Sequence, residues 1–435
     1  MLWLNLTPLI LSVVFMIAHF MRAENTGAVA VTAVVPLMLL LKKRWATKIV
    51  QLFLLVGAAI WFESTMKFVL IRQDTGQPWL RLVLILGVVA SLSVGAALIL
   101  QKKSLKKRFQ KVSAFDFPSG ATFVLTAVIL GVIQYKVKLP MLIAERFIPG
   151  AGWAEILILA SYAGWITEKL LDKKQTHVWR KRIWLLFSAV FFGQLILGLS
   201  GVEKFLMTSK LHLPIPAMIL GGPLYRGNGF FMPILFLSTV VLAGPAWCSY
   251  ICYIGSWDQT ASSKKRKPAV MPRWRHPARI AILLIVPAVA VLLRLFGASS
   301  LTAVIFGLSF GIVGVVIMFI WSRKTGVMTH CITWCPIGLL ANWLGKLSPF
   351  RLKINDTCDD CGACSLACRY DALTVFDIQQ RKPGLTCTLC GDCIKSCRLN
   401  SIEYAFLKLD PEKARTLFIV LVVVLHAVST GIARI

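Results

Sequence analysis

Residues 230–252 read FFMPILFLSTVVLAGPAWCSYIC, an apolar run that ends on two cysteines. A helix needs about 20 mostly apolar residues to cross a bilayer, and this run supplies them. Its last five residues form a C-x3-C motif, Cys248 and Cys252. The stretch therefore predicts a membrane helix that presents paired thiols at one membrane face.

The rest of the chain shares this apolar character. Of 435 residues, 57% are hydrophobic and 15% are charged, and the mean hydropathy is +0.73. Soluble domains are only about 45–50% apolar and about a quarter charged. We therefore expect an all-α polytopic membrane protein and exclude a disordered chain. About eleven transmembrane helices are predicted, at residues 2–20, 26–41, 46–70, 79–100, 118–135, 151–171, 183–201, 230–252, 278–296, 301–321 and 415–432.

The basic residues predict an orientation for these spans. The net charge of +29 would suggest nucleic acid in a soluble protein, but here we exclude that partner. Four loops on one side carry twenty-two Lys and Arg residues, and the loops on the other side carry eight. Cytoplasmic loops are the basic ones. We expect a multi-pass protein of a bacterial inner membrane, with a cytoplasmic N-terminus and an external C-terminus.

The composition also predicts a division into domains. Residues 322–414 form the one long polar segment, and they are expected on the cytoplasmic side. Loop 202–229 is rich in Gly and Pro and is expected to lack regular structure. The predicted divisions are a four-helix membrane region (1–117), a middle membrane region (118–229), a C-x3-C hairpin region (230–349), a small cytoplasmic α+β ferredoxin-like domain (350–410) and a C-terminal helix (411–435).

Eight cysteines in the polar segment carry the most specific motif. They form two C-x2-C-x2-C-x3-C runs, the spacing of bacterial ferredoxins that hold two [4Fe–4S] clusters. In that arrangement, the fourth cysteine of each run binds the cluster of the other run. One predicted ligand set is Cys358, Cys361, Cys364 and Cys397, and the other is Cys387, Cys390, Cys393 and Cys368. Paired zinc sites also use C-x2-C spacing, but they do not call for two identical runs.

The remaining four cysteines form a repeated pattern. One pair is Cys248 and Cys252, and the other is Cys331 and Cys335, in HCITWCPIGLL. In each pair, one residue separates the second cysteine from an Ile-Gly sequence. Each pair follows a two-helix hairpin, which indicates an internal duplication. Residues four apart share one helix face, so the two pairs are able to converge. Three interpretations stay open: an additional Fe–S or other redox metal site, reactive thiols or a transient copper or iron site, and buried structural cysteines.

These motifs resemble a family of membrane-bound ferredoxin proteins. C-x3-C(P) pairs followed by a two-cluster ferredoxin segment are similar to the quinol-dehydrogenase ferredoxin subunit of periplasmic nitrate reductase. The nitrous oxide reductase-supporting iron–sulfur membrane protein and the copper-reducing oxidase assembly factors share the pattern. The resemblance covers about residues 230–408, although Tyr253 stands where that family has proline. It implies electron transfer with the quinone pool and redox partner proteins, and a possible quinol dehydrogenase. The alternative is a copper- or other metal-reducing assembly factor.

Two further cofactors have weaker sequence support. Residues 116–122, DFPSGAT, are similar to the sequence on which FMN is attached covalently to threonine, which would make Thr122 the acceptor. The same residues also suit an ordinary helix start, with proline in the first turn. A b-type haem would need two histidines, and only His19 and His426 lie within predicted spans.

Overall fold

The computed structural model describes residues 2–110, 114–206 and 213–432, with side chains from residue 6 onward. It divides into two compact units, Met1–Glu168 and Lys169–Ile435. The chain is mostly helical, and its strands form one two-stranded sheet among the described residues. All eleven segments predicted to span the membrane are helical. Not all eleven, however, are long and apolar enough to count as membrane spans.

Eight of the described helices are long and apolar enough to cross a membrane. This satisfies the prediction of a polytopic membrane protein. Over the residues with described side chains, the first two predicted spans are shorter apolar helices, Leu6–Arg22 and Thr26–Leu41, and the span predicted at 151–171 is not among the eight. The eight are Arg44–Asp74, Leu80–Ile99, Asp116–Lys136, Thr176–Leu199, Phe231–Ile251, Arg275–Leu295, Ser300–Thr325 and Pro411–Ile432.

The first unit is a bundle of helices. Its second apolar segment changes from an α-helix to a 3₁₀-helix at Val35, next to Pro36. Proline has no N–H to donate to the preceding turn, so the α-helical ladder is broken there. The elements are Leu2–Arg22, Thr26–Val34, the 3₁₀-helix Val35–Leu41, Arg44–Asp74, Leu80–Ile99, Lys103–Phe109, Asp116–Lys136, Ile143–Phe147 and Gly152–Leu171, which continues into the second unit.

The second unit contains all twelve cysteines. Its helices are Thr176–Leu199, Glu203–Phe205, Met218–Arg226, Phe231–Ala243, Gly244–Ala246, Trp247–Ile251, Gly255–Ser262, Arg275–Leu295, Ser300–Ile317, Met318–Ser322, Arg323–Thr325, His330–Trp334, Pro336–Leu344, Ala363–Ala367, Val375–Gln379, Ile394–Ser396 and Pro411–Ile432. Its two strands, β1 (Phe350–Ile354) and β2 (Ile402–Phe406), pair antiparallel with Phe350 opposite Phe406. This sheet brings together the two ends of the segment that carries the eight ferredoxin-type cysteines.

The expectation of an irregular loop over 202–229 is wrong for its C-terminal part. Met218–Arg226 is a helix that ends at Gly227, where φ is +71°. A Cβ on Gly221 would lie within 4 Å of Val286 and Ala290 of the helix Arg275–Leu295. The small glycine therefore allows close helix packing, which outweighs its poor intrinsic helix propensity. Residues 207–212 of this loop lie outside the described residues.

The last helix, Pro411–Ile432, is anchored to the sheet and to its neighbours. The ring of Phe418 stacks on Tyr404 of β2 with 4.7 Å between centroids and meets Phe350 of β1 edge-on at 5.3 Å. The buried guanidinium of Arg415 donates to the carbonyl oxygens of Leu170 and Leu171 at 2.9 and 2.8 Å. These contacts fix the ferredoxin-type segment against helices of the second unit.

Candidate metal centres

Both C-x3-C motifs end in the same irregular turn. Trp247–Ile251 and His330–Trp334 are single π-helical turns. In each, the amide of the second cysteine, Cys252 or Cys335, donates at 2.9 Å to the carbonyl five residues earlier. Both second cysteines then leave the turn with ψ near 116°. The prediction that each pair lies on a regular helix face is therefore wrong, because π-turns, common at functional sites, replace the α-helix there.

The glycine of each C-x-I-G sequence allows a close backbone approach. A Cβ on Gly255 would lie 3.0 Å from the carbonyl oxygen of Cys248, and a Cβ on Gly338 would lie 2.6 Å from that of Cys331. Any larger residue would push the chain away from the first cysteine of its motif. The repeated glycine is thus explained by packing that is the same in both halves.

Backbone amides also point at the second cysteine of each motif. The sulfur of Cys335 receives the N–H groups of Ile337 and Gly338, and Cys252 receives those at the same positions of its own motif. Burial raises the pKa of Cys335 to about 12, and these amides oppose the rise. Hydrogen bonds to a charged group favour the charged form. The motifs are therefore suited to hold thiolates once a cation compensates for burial.

The four C-x3-C cysteines converge in the second unit. Burial raises the pKa of Cys331 well above its usual value, and Asp258, Cys335, Cys252 and Cys248 raise it further. Three of the four cysteines are buried, and Cys331 is partly exposed. The two halves of the repeat thus bring their thiols into electrostatic range of one another.

Asp258 follows the first motif but contacts the second. Its Oδ2 accepts the backbone N–H of Cys331 at 3.0 Å, and its side chain is fully buried. Burial raises the pKa of Asp258 to about 6, although hydrogen bonds from Ser322 and Cys331 favour its carboxylate. This carboxyl group therefore ties the two halves of the repeat together beside the thiols.

The ferredoxin-type segment repeats its backbone conformation in both runs. Asp360 and Leu389, each just before the second cysteine, have φ of +55° and +57°. Gly362 and Gly391, each just after it, have φ of +71° and +76°. Left-handed residues on both sides turn the chain sharply around the second cysteine, and glycine adopts this conformation without strain. Each run therefore wraps three cysteines around one point.

The fourth cysteine of each run is also held in the same way. The amide of Ala372 donates to the sulfur of Cys368 at 3.4 Å, and the amide of Ser401 donates to that of Cys397 at 3.2 Å. Such N–H···S bonds stabilise a thiolate and tune the potential of an iron–sulfur cluster. The donor set and its backbone cradle fit a cubane cluster in each run.

One set of thiols contains the fourth cysteine of the second run. The pKa of Cys364 is raised by burial, lowered by nearby backbone amides and raised again by Cys358 and Cys397. Cys397 therefore lies beside cysteines of the first run. Cys361 of the same run is exposed. The crossed ligand assignment itself stays a prediction.

The other set contains the fourth cysteine of the first run. Burial raises the pKa of Cys393 well above its usual value, and Cys390, Cys387 and Cys368 raise it further. Cys368 thus lies with cysteines of the second run. Among the described residues, no three His, Cys, Asp or Glu side chains are gathered as ligands of a single metal ion. In a cubane, each thiolate binds a different iron.

The second set lies next to the C-x3-C cysteines. Cys331, Cys368, Cys387 and Cys390 all pack against one apolar cluster. The hydroxyl of Tyr370 donates to the carbonyl oxygen of Cys248 at 3.3 Å. The apolar cluster consists of Trp184, Met271, Val327, Met328, Ile332, Tyr370 and Ala372. One buried group of side chains therefore separates the two cysteine sites.

A buried arginine joins the membrane helices to the ferredoxin-type segment. The guanidinium of Arg180 binds both carboxylate oxygens of Asp392, at 2.9 and 2.6 Å, and Asp392 lies between two cysteines of the second run. It also donates to the carbonyl of Ser249 at 3.0 Å and to the amide oxygen of Gln259 at 3.3 Å. Arg180 thus fixes the second run against the first C-x3-C motif.

An apolar cavity of about 270 Å³ reaches the C-x3-C site. Its walls include Trp257, Phe310, Val315, His330 and Cys335. The His330 ring is buried against Gly314, and neither ring nitrogen makes a well-formed hydrogen bond within the described residues. Burial lowers the pKa of His330 to about 4, so its ring is neutral at pH 7. The cavity therefore combines an apolar volume with one neutral imidazole.

Thr122, the candidate flavin acceptor, is fully buried in the first unit. It lies on the helix Asp116–Lys136, donates to the carbonyl of Pro118 at 2.8 Å and accepts from Thr167 at 2.9 Å. Its hydroxyl is therefore engaged within the helix bundle. The helix start, with Pro118 in the first turn, agrees with the alternative interpretation of this sequence.

The two histidines considered for haem have separate surroundings. His19 packs against Trp61, with 4.8 Å between ring centroids, in the first unit. His426 is buried in the second unit, and its Nδ1 lies 3.2 Å from the carbonyl oxygen of Tyr250. The His19 ring is thus engaged by packing, and the His426 ring by a hydrogen bond.

Several residues at the site were not singled out from the sequence. The sequence counts three of them, Arg180, Arg275 and Arg279, among the basic residues of the loops. In the structure, all three are buried in helices of the second unit. Asp258 and Tyr370 carry no motif. Tyr370 lies two residues after Cys368, but nothing in the sequence pairs it with Cys248.

Comparison with known proteins supports iron–sulfur chemistry for part of the chain. Residues 226–268 match the model of a 4Fe–4S binding domain. The match covers Cys248 and Cys252 rather than the eight ferredoxin-type cysteines. The presence of a 4Fe–4S domain agrees with the cofactor that the motifs predict.

Two distant relatives are named as an electron transport protein and as a ferredoxin-type protein. The chain is 26% identical over 198 residues to the putative electron transport protein YccM of Escherichia coli K12, which covers 40% of the chain and 52% of the relative. It is 25% identical over 191 residues to the methylamine utilization ferredoxin-type protein MauN of Paracoccus denitrificans, covering 40% and 62%. The chain thus spans about half to three fifths of these relatives. No solved structure matches significantly.

Proposed function

We propose that this chain is a membrane electron-transfer protein with two [4Fe–4S] clusters and a third redox centre on four C-x3-C thiolates. The observation that carries the proposal is the shared apolar cluster around Tyr370. Cysteines of the second ferredoxin-type set and Cys331 pack against it together. Electron transfer needs closely spaced centres, and this arrangement supplies two sites with a common wall.

The ligands of the two clusters are proposed as the crossed sets. Cys358, Cys361, Cys364 and Cys397 hold one, and Cys387, Cys390, Cys393 and Cys368 hold the other. The repeated left-handed turns and the amides that point at the fourth cysteines support this assignment. Bound there, the clusters supply one-electron chemistry, and the protein supplies spacing, hydrogen bonds and charge.

The third centre is proposed on Cys248, Cys252, Cys331 and Cys335. Their convergence, the paired π-turns and the amides at the second cysteines support it. Buried thiols bind a metal as thiolates and release their protons when they do. The match of residues 226–268 to a 4Fe–4S binding domain favours iron at this site.

The membrane partner is proposed to be quinone or quinol, bound in the apolar cavity beside Cys335. The cavity is lined almost entirely by apolar side chains and lies against the membrane-length helix Ser300–Ile317. The neutral ring of His330 forms part of the cavity wall and supplies a polar side chain there. The names of the two relatives support electron transport, and the basic loops support a cytoplasmic side for the clusters.

Metal analysis and spectroscopy of the anaerobically purified full chain test this proposal. We expect about eight irons from two four-iron clusters, further metal at the third site, and EPR signals of two reduced clusters. The double variant Cys248→Ser/Cys331→Ser should lose only the third-site metal. Stoichiometric zinc with little iron would refute the proposal. Copper at the third site, with Cu(II) reduction lost in the double variant, would favour a metal-reducing assembly factor instead.

A further inference from the structure

Arg279 is a buried cation without a partner. It lies on the helix Arg275–Leu295 and is 2% exposed. None of its three guanidinium nitrogens makes a hydrogen bond to a described residue. A buried charge without a counter-charge is strongly unfavourable, so this side chain needs an anionic neighbour.

The C-x3-C thiols and Arg275 are the ionisable groups that interact with this guanidinium. Arg279 lies within electrostatic range of Cys248, Cys331 and Cys335. Its helix packs directly against the second π-turn and the helix that follows it. The cation therefore faces both halves of the cysteine repeat.

The other buried arginines of this region have carboxylate partners. Arg275, one turn earlier on the same helix, forms an ion pair with Asp371 at 2.5 Å. Arg180 is paired with Asp392. Each of these arginines pairs with a carboxylate of the ferredoxin-type segment, whereas the guanidinium of Arg279 makes no hydrogen bond to a described residue.

We infer that Arg279 is the counter-charge of an anionic thiolate–metal centre on the C-x3-C cysteines. The inference rests on the third centre proposed above and assigns a residue that stabilises it. An iron–sulfur cluster held by four thiolates carries a net negative charge, and a buried guanidinium beside it compensates that charge. Arg279 is thus a positioning residue that favours metal retention and the reduced form.

The test compares Arg279→Met, Arg279→Lys and Arg273→Met with wild type, in the full chain. Arg273 is exposed just before the same helix, so its variant removes an equal charge without touching the thiols. The readouts are metal per chain beyond the two ferredoxin-type clusters and the midpoint potential of the third centre. We expect Arg279→Met to lose more than half of that metal, and the remainder to titrate at lower potential. Arg279→Lys and Arg273→Met should retain it.

The outcomes separate this inference from the proposed function. Wild type without third-site metal would overturn the centre itself, and this role with it. Wild-type metal content and potential in Arg279→Met would overturn the role of Arg279 alone. If Arg279→Met also loses the ferredoxin-type clusters, Arg279→Lys decides. Retained metal and potential there support a charge role, while metal loss in a folded Lys variant contradicts it.

Discussion

The phenol hydroxyl of Tyr370 donates a hydrogen bond to the backbone carbonyl of Cys248 at 3.3 Å. Tyr370 follows a cysteine of the ferredoxin-type segment, and Cys248 belongs to a motif at the end of a membrane helix. The bond therefore joins two residues that are 122 positions apart in sequence, one at each cysteine site.

Removing this hydroxyl tests the link. Tyr370→Phe keeps the ring in the apolar cluster and should cost about 1 kcal/mol of stability, the usual net contribution of one hydrogen bond. Electron exchange between the second cluster and the C-x3-C site should slow, as measured by rapid-mixing reoxidation. Tyr404→Phe is the matched control, because its hydroxyl donates to Leu389 within the segment at 2.7 Å. Equal rates in both variants would show that Tyr370 has no special role.

The crossed ligand sets make a pairwise prediction. Cys397→Ser should remove the same EPR signal as Cys358→Ser, and Cys368→Ser should remove the same signal as Cys387→Ser. The reason is that the fourth cysteine of each run lies among the thiols of the other run. Redox-titrated EPR of the four variants measures this. Signals that pair within a run would contradict the crossing.

The buried ion pair between Arg180 and Asp392 should be essential for docking. Arg180→Met leaves the carboxylate of Asp392 unpaired in a mostly buried position and should cost about 3 kcal/mol. Thermal unfolding in detergent, followed by iron–sulfur absorbance, measures the loss. The control is Arg182→Met, which removes an exposed positive charge from the same helix.

A double variant separates the charge from the packing. Arg180→Met/Asp392→Asn removes both charges, so it should be more stable than Arg180→Met alone. Additive losses from the two substitutions would mean that the pair is not coupled.

The glycine of the C-x-I-G sequence should be intolerant of a methyl group. In Gly338→Ala, the new Cβ would lie 2.6 Å from the carbonyl oxygen of Cys331, so the backbone must shift. Overpacking of this kind costs about 1–3 kcal/mol, and we expect loss of third-site metal. Gly193→Ala is the control, since no atom lies within 4 Å of a Cβ there and alanine favours a helix by about 1 kcal/mol. Full metal content in Gly338→Ala would refute this role.

The cavity makes a prediction about quinol binding. His330→Leu removes the polar group of the cavity wall and should raise KM for a quinol analogue about tenfold, the equivalent of about 1.4 kcal/mol. The pKa of His330 is lowered to about 4 by burial, so its ring stays neutral from pH 5 to 8. The histidine effect should thus be independent of pH in that range. The control for the loss of an imidazole ring is His276→Leu, at an exposed histidine. Equal KM values in the two variants would exclude the cavity as the quinol site.

The structure also changes the meaning of the net charge. The basic residues of the loops predict the topology, and Arg180, Arg275 and Arg279 belong to that count. All three are buried, and two of them form ion pairs with the ferredoxin-type segment. Their charges therefore act at the cysteine sites as well as in orienting the chain in the membrane. The sequence does not reveal this second role, because it depends on contacts between residues distant in sequence.

The sequence by itself determined the helical membrane segments and the groups of cysteines. An apolar run of membrane length must satisfy its backbone hydrogen bonds internally, so its composition dictates a helix. The ferredoxin-type spacing is equally local, because each run turns tightly around one point. Tertiary structure alone decided the π-turns, the helix Met218–Arg226 and the partners of the buried arginines. These features depend on packing between remote segments, where a glycine, a carbonyl or a thiol meets a side chain that no local pattern specifies.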